Sequence, residues 1–244
     1  AGVRLLRWHL LLRAAMLPVP IRLTARAFTA AMFANLFLPA EAGGDVVRAF
    51  QVGEELGARA RAWASVVMDR LIGMVTMFGM ASVVVLAAGP ADLHAYRLPA
   101  VLMTLGCMVV TVLLFSERLA ARVSALVSRL SRRLAEMGER FLAAVRQYRH
   151  APIVVVAVGG MAVAVQLIAY TGFYMVARAL DLPCTLAQFI WFMPVITLIV
   201  MLPSANGIGL REAAFILTFG TVGLSKEQAT LLSLNVFGLS VALG

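Results

Sequence analysis

Charged side chains within apolar sequence are the residues of this chain that could do chemistry. They form three acid–base pairs, each within three positions of sequence: Asp45 with Arg48, Asp69 with Arg70, and Arg211 with Glu212. A charge in the middle of a bilayer costs roughly 2.5 to 3.5 kcal/mol on insertion scales. Neutralisation within each pair lowers that cost, so internal pairing is one interpretation of all three places. Binding of an external ion is the other.

Glycine-rich helix starts favour the binding interpretation at two of these places. Gly43 and Gly44 precede Asp45, and the stretch Asn206-Gly207-Ile208-Gly209 precedes Arg211. A helix N-terminus presents unpaired N–H groups and about half a positive charge, and a nearby arginine offers a planar fork that suits phosphate oxygens. The candidate phosphate-binding residues are Arg48, Arg211, Gly43, Gly44, Asn206, Gly207 and Gly209.

The remaining charged residues would balance charge or bind the rest of a lipid headgroup: Asp45, Asp69, Arg70 and Glu212. Structural roles compete with these. Asp45 and Asn206 are residue types that cap helix N-termini, and Arg48 could pair with Asp69 to fix the packing of two helices. The sequence leaves both interpretations open.

Motifs for other kinds of chemistry are missing from the sequence. It contains no HExxH, no cysteine and histidine cluster and no P-loop, and its three histidines are far apart. The stretch from Gly207 to Glu212 lacks the third glycine and the preceding strand of a dinucleotide fingerprint. We therefore expect no catalytic residues, no metal site and no cofactor, and a protein that is not an enzyme.

The composition places the charged pairs in a membrane protein. Of the 244 residues 62% are hydrophobic and 14% are charged, against about 25% charged in soluble domains. Four charge-free runs of 19, 19, 27 and 29 residues lie at 71–89, 98–116, 151–177 and 182–210. Each is long enough to cross about 30 Å of hydrocarbon. An all-α polytopic membrane protein is expected, and soluble enzymes, secreted domains and outer-membrane barrels are excluded.

The net charge of +9 is concentrated in two short segments. Residues 1–26 carry five arginines and no acid, and residues 117–150 carry eight arginines and three glutamates. Basic segments beside apolar spans are retained in the cytoplasm. Both segments are therefore predicted to face the cytoplasm from a multi-pass protein of the inner cell membrane. Their expected partners are anionic phospholipids rather than nucleic acid.

Counting membrane crossings gives the order of the segments. An even number must separate the two cytoplasmic segments, yet the first apolar run, 27–39, has 13 residues, or about 20 Å of helix. It is therefore predicted to enter and leave on one side. The expected segments are an interfacial segment at 1–26, a re-entrant hairpin at 27–52, transmembrane helices at 63–88, 98–116 and 151–177, a basic amphipathic helix at 117–150, a second re-entrant hairpin at 186–222, and the start of a further transmembrane helix at 229–244.

The second hairpin repeats the sequence of the first. Each ends an apolar run with Leu-Pro, continues through small residues, and has an arginine four positions after a glycine, at Gly44 and Gly207. By the crossing count the two enter from opposite sides. The sequence thus predicts an inverted repeat of a re-entrant helical hairpin plus transmembrane helices, an arrangement that places binding sites near the bilayer midplane. The predicted helix-break residues are Pro39, Pro203 and Ser204.

Four stretches of the chain resemble the flippase-like membrane domain of lysylphosphatidylglycerol synthases. They are Arg7-Trp8-His9-Leu10-Leu11-Leu12-Arg13, residues 35–48, residues 64–73, and residues 202–215. The likeness covers essentially the whole chain in the family's order. It implies an integral cytoplasmic-membrane protein that binds an amphiphilic lipid or moves it between leaflets. The usual chain of the family has further spans on both sides, so a fragment of a longer protein is expected here.

The expected function is flippase-like translocation of a phospholipid, or of another lipid-linked anionic amphiphile, between leaflets. Anionic and aminoacylated headgroups are both candidates. One alternative is a membrane-embedded transferase acting on a lipid or lipid-linked sugar, for which Asp69 or Glu212 would be the base. Another is a scaffold that docks a cytoplasmic partner through the basic helix at 117–150. Expected protein partners are a second copy of the chain or a separate cytoplasmic enzyme.

Overall fold

The computed structural model of the chain is helical throughout the residues that it describes, which are 1–37, 43–87, 97–116, 132–200 and 209–243. This part contains ten α-helices, two short 3₁₀-helices and no strand. The all-helical class predicted from the apolar runs is therefore confirmed.

The ten α-helices of the described part are numbered here in chain order. In chain order they are α1 Gly2–Ala14, α2 Ile21–Phe37, α3 Gly43–Glu55, α4 Arg59–Ala87, α5 Arg97–Phe115, α6 Arg132–Arg146, α7 Pro152–Ala179, α8 Leu186–Val200, α9 Leu210–Phe219 and α10 Lys226–Leu243. The 3₁₀-helices are Gln147–His150, between α6 and α7, and Gly220–Val222, between α9 and α10.

Several helices begin earlier than the apolar runs from which they were predicted. The first hairpin was expected to rise from Ala27, but α2 begins at Ile21, directly after Pro20, whose carbonyl accepts the N–H groups of Leu23 and Thr24. Arginine is a good helix former, so Arg22 continues the helix although it interrupts the apolar run. With 17 residues, α2 is about 25 Å long, which is still less than the hydrocarbon thickness.

Two helices of the described part, α4 and α7, are long and apolar enough to cross a membrane. Only 28% and 17% of their most apolar stretches is buried, whereas the core helix of a soluble protein is mostly buried. On α7, Ile153, Val156 and Ile168 are 83%, 75% and 68% exposed. Large apolar surfaces of this kind mark contact with lipid or protein. Shorter apolar helices cover Val101–Leu113 and Leu186–Val200.

The buried apolar side chains form two clusters at opposite ends of α4. The N-terminal cluster joins α1, α2, α3, the end of α6 and the first halves of α4 and α7, and includes Trp8 and Tyr148. The C-terminal cluster joins α8, α9, α10 and the second halves of α4 and α7. Because both clusters take residues from α4 and α7 in the same order, these two helices run parallel to each other.

Helix α5 returns along α4 in the opposite direction. Thr104 donates to the carbonyl of Phe78, 3.0 Å away, and is hydrogen-bonded to Ser82 at 2.7 Å. At the other end of α5, the guanidinium of Arg149 lies 5.7 Å from the Phe115 ring centroid. The 3₁₀-helix that holds Arg149 therefore lies at the same end of the bundle as the start of α4.

The N-terminal helix is fastened at that end too. The phenol of Tyr148 donates to the carbonyl of Leu11 on α1 at 3.0 Å, and α1 packs against both α4 and α7. The described parts of the two basic segments thus lie together, as expected if both face one compartment. Residues 117–131 of the second segment lie outside the described residues.

Candidate functional site

Five charged side chains meet inside the N-terminal cluster, and we call them the charged centre: Arg7, Asp45, Arg48, Asp69 and Arg70. They come from three helices, with Arg7 on α1, Asp45 and Arg48 on α3, and Asp69 and Arg70 on α4. The pairing is possible because α3 and α1 both pack against α4, whose first half lies in the N-terminal cluster.

Arg48 is the middle of the charged centre. Its Nη2 lies 3.0 Å from Asp69 Oδ2 and 2.8 Å from Asp45 Oδ1, and its Nε donates to the same Asp45 oxygen at 3.0 Å. Its guanidinium carbon lies 4.9 Å from the ring centroid of Trp8. The residue is 5% exposed. Arg48 is therefore held by two carboxylates and an aromatic face, which is the internal pairing that the sequence left open.

Two further arginines bind the outer oxygens of the same carboxylates. Arg7 Nε donates to Asp69 Oδ1 at 2.7 Å, and Arg70 Nε donates to Asp45 Oδ2. Three guanidinium groups and two carboxylates thus meet in the centre. The side chain of Arg70 is 35% exposed and that of Arg7 15%. Arg70 is therefore the most accessible arginine of the centre.

A close approach of two helices sets the start of α3. The amide N–H of Gly44 donates to the side-chain oxygen of Asn35 on α2 at 2.7 Å. A Cβ on Gly44 would collide with the carbonyl oxygen of Ala31 and would lie 2.7 Å from that Asn35 oxygen. Gly44 is required by this contact, and Asn35 rather than Asp45 satisfies the amide. The carboxylate of Asp45 is left to bind the two arginines.

Trp8 links α1 to α4 next to the charged centre. Its indole N–H donates to Ser65 Oγ at 3.1 Å, and Ser65 donates in turn to the carbonyl of Ala62 at 2.7 Å.

Burial raises the pKa of the Tyr148 phenol, and the charge of Asp69 raises it further. Tyr148 therefore stays protonated and keeps its hydrogen bond to α1.

Sequence reasoning missed Arg7, Trp8, Ser65 and Tyr148 as parts of this site. The arginines of residues 1–26 had a sufficient explanation as a topology signal, and Arg7 is 62 positions away from Asp69. The available signal was the pair Arg7-Trp8. A guanidinium can pair with a buried carboxylate, and a tryptophan ring can face a buried cation.

The second group of candidates lies in the C-terminal cluster. The guanidinium carbon of Arg211 lies 4.1 Å from the ring centroid of Phe237 on α10. A carboxylate oxygen of Glu212 accepts the amide N–H of Gly209 at 2.6 Å, and Gly209 has a φ of +82° that favours glycine. Glu212 therefore caps the start of its own helix.

The described residues do not bring the two groups of candidates together. Arg48 lies on α3, which packs against α2 and α4, whereas Arg211 lies on α9, which packs against α8 and α10. Helix α4 contacts α3 near its start and α8 near its end. The predicted break and binding residues Pro39, Pro203, Ser204, Asn206 and Gly207 lie outside the described residues.

Metal chemistry has no visible site in the described ranges, where no three histidine, cysteine, aspartate or glutamate residues lie close enough to hold an ion. Both carboxylates of the charged centre are engaged by arginines. Arginine, which supplies three of the five side chains of the centre, is the residue type that binds carboxylate and phosphate groups through paired N–H donors.

The fold and the site together define a helical membrane protein with charged groups held inside an apolar bundle. The whole chain, residues 1–244, matches the sequence model of the lysylphosphatidylglycerol synthase TM region. The chain therefore belongs to that family, as its resemblance implied, and is a membrane protein of a family associated with lipid handling. No curated protein and no solved structure matches it.

Proposed function

We propose that the protein binds the headgroup phosphate of a membrane lipid at the charged centre and moves the lipid between the two leaflets. The observation that carries the proposal is the gathering of three arginines and two aspartates within the apolar bundle, with the Arg70 side chain 35% exposed. The guanidinium fork suits phosphate oxygens, and Arg70 is the arginine of this group that a headgroup can reach.

Arg70 is the group that meets the phosphate first in this proposal. Its side chain is the most exposed of the three arginines, and Asp45 orients its Nε. Arg48 is buried and bound by both carboxylates, so it serves mainly to hold Asp45 and Asp69 in place. The N-terminus of α3 adds its partial positive charge on the same side.

The proposed topology follows from the end of α4 at which the two basic segments lie. Residues 1–26 and the described part of 117–150 lie at the start of α4, and α10 begins at the other end. We place the first end in the cytoplasm by the positive-inside rule. The pairs α2 with α3 and α8 with α9 are then two re-entrant hairpins that enter from opposite sides of the inner cell membrane.

The transferase alternative receives less support from the geometry than translocation does. Asp69 accepts from Arg7 and Arg48, and Glu212 accepts a backbone amide. Both carboxylates are thus already engaged by donors of the protein itself. Binding and movement require no base.

Purified protein in vesicles that carry a fluorescent phospholipid tests the proposal. A reductant that cannot cross the membrane bleaches the outer leaflet only, so bleaching beyond one half measures translocation. We expect wild-type protein to increase that rate and Arg70→Gln to lower it. Arg178→Gln is the matched control, because Arg178 is exposed at the far end of α7. No translocation by wild-type protein would refute the proposal.

Two further variants test the predicted phosphate ligands. Arg48→Gln and Arg211→Gln each remove one guanidinium, and we expect the combined variant to lose lipid binding, measured by native mass spectrometry, as well as translocation. If both activities are unchanged, neither Arg211 as a phosphate ligand nor Arg48 as the residue that holds Asp45 and Asp69 in place is needed, and both assignments are wrong.

A further inference from the structure

A polar stripe runs along α4 from the charged centre to the middle of the bundle. Ser65, Asp69, Gly73 and Thr76 fall within about 80° of one another around the helix axis, at about 100° per residue. Gly73 is the central residue of the 29-residue helix. The stripe therefore runs from the charged centre to the middle of α4, which we place near the bilayer midplane.

At that depth Gln166 of α7 faces the stripe. Its Nε2 donates to the carbonyl of Gly73 at 3.1 Å and to Thr76 Oγ1 at 3.2 Å. Thr76 donates its own proton to the carbonyls of Ile72 and Gly73, at 2.9 and 3.0 Å. These bonds fix the orientation of the amide, because both groups that Gln166 meets on α4 act as acceptors towards it.

The other end of the same amide has no partner. Gln166 Oε1 is buried and accepts no hydrogen bond. A Cβ at Gly73, whose carbonyl accepts from Gln166 Nε2, would meet nothing within 4 Å, so the stripe is open at this residue. A role in helix packing accounts for Nε2 and leaves Oε1 unexplained, since a buried acceptor without a donor destabilises the fold.

We infer that Gln166 Oε1 is a headgroup site that accepts a hydrogen bond from a hydroxyl or ammonium group of the lipid as it passes the midplane. The inference rests on the proposed function and adds a specificity to it. Thr76 lies about 10 Å along α4 from Asp69. A headgroup that leaves the charged centre therefore next meets an acceptor, which favours lipids whose headgroups carry a donor.

Translocation of three fluorescent lipids by the full chain in vesicles tests the inference. Phosphatidylglycerol carries hydroxyl donors, phosphatidylethanolamine carries N–H donors, and phosphatidylcholine carries neither. We expect wild-type protein to move at least one donor-bearing lipid faster than phosphatidylcholine. Gln166→Met should reduce that preference roughly three- to tenfold, the range of one buried hydrogen bond. Which of the two lipids is affected tells whether the donor is hydroxyl or ammonium.

Thr76→Val is the matched control for a purely structural role. It removes one interhelical partner of Gln166 Nε2 and leaves Oε1 in place, so it should lower stability without changing the headgroup preference. An equal loss of preference in Thr76→Val and Gln166→Met, or no loss in Gln166→Met, would overturn the inference while translocation itself still supports the proposed function.

A second variant tests the space beside Gly73. Gly73→Leu fills the stripe and should slow all three lipids, whereas Gly106→Leu, at an equally open position on α5, should not. Wild-type rates in Gly73→Leu would show that headgroups do not pass along this face and would overturn the inference. If wild-type protein moves no lipid and retains none in native mass spectrometry, the proposed function fails and the inference fails with it.

Discussion

Arg48 on α3 and Asp69 on α4 form a buried ion pair, with Arg48 Nη2 3.0 Å from Asp69 Oδ2 and side chains that are 6% and 7% exposed. The other oxygen of Asp69 binds Arg7 of α1. One carboxylate therefore holds three helices together, and its removal should have larger effects than removal of a surface charge.

Asp69→Asn is expected to destabilise the protein by about 3 to 5 kcal/mol, because it leaves Arg7 without its carboxylate partner and Arg48 with Asp45 alone. Unfolding in detergent, followed by circular dichroism, measures the loss. Arg48→Gln combined with Asp69→Asn should recover part of it, since the buried charge is removed together with its partner.

Glu54→Gln is the control for that experiment. Glu54 forms a salt bridge with Arg59 at an exposed turn, and surface pairs contribute little. A loss in Asp69→Asn no larger than the loss in Glu54→Gln would contradict the assigned role of Asp69.

Gly44→Ala is expected to separate α2 from α3. The added methyl group would overlap the Ala31 carbonyl and the Asn35 side chain, so the fold should lose about 1 to 3 kcal/mol. Because α3 carries Arg48, translocation should fall as well. Gly106→Ala, at an open helical position, should preserve or raise stability, and equal behaviour of the two variants would argue against the close approach.

Stability should decrease as the pH falls below about 6.5 because of His9. Burial lowers the pKa of His9 below its ordinary value of 6.5, and Arg13 lowers it further. The ring, hydrogen-bonded to Thr24 at 2.9 Å, is thus favoured in its neutral form by folding. Its contribution is complete above pH 6.5 and is lost as the pH falls through the lower folded value.

Melting temperatures at pH 7.5 and pH 5.5 check this. The difference should shrink in His9→Gln and should persist in His150→Gln, because His150 is exposed. A pH dependence that His9→Gln leaves unaltered would assign the effect to other groups.

The proposed sidedness predicts that His150 and Lys226 face opposite compartments. After replacement of Cys107 and Cys184, the chain's two cysteines, single-cysteine variants His150→Cys and Lys226→Cys can be treated with an impermeant thiol reagent. In oriented vesicles one should react directly and the other only after permeabilisation. Direct reaction of both from one side would refute the inverted arrangement.

The helices were predictable from the sequence because apolar runs of the required length leave few other structures in a membrane. The residues at which the helices begin and end were less predictable. Helix α4 begins at Arg59, four residues before the predicted start at Trp63, because charged residues that favour helices extend them beyond the apolar run.

Only part of the charged centre was predictable from the sequence. Asp45, Arg48, Asp69 and Arg70 stand out as charges in apolar sequence, but Arg7 joins them through packing of α1, which no local pattern encodes. The inverted repeat predicts equivalent binding residues in the two hairpins, near the bilayer midplane. Repeats establish equivalent positions rather than neighbouring ones, and the described residues place Arg48 and Arg211 in different clusters.

The continuity of α4 has a consequence for how the molecule can move. Its 29 residues make a rod about 43 Å long, with α3 packed near one end and α8 near the other. The two ends of a straight helix that pivots about its middle move in opposite directions. A change in how α3 packs is therefore expected to be transmitted through α4 to α8.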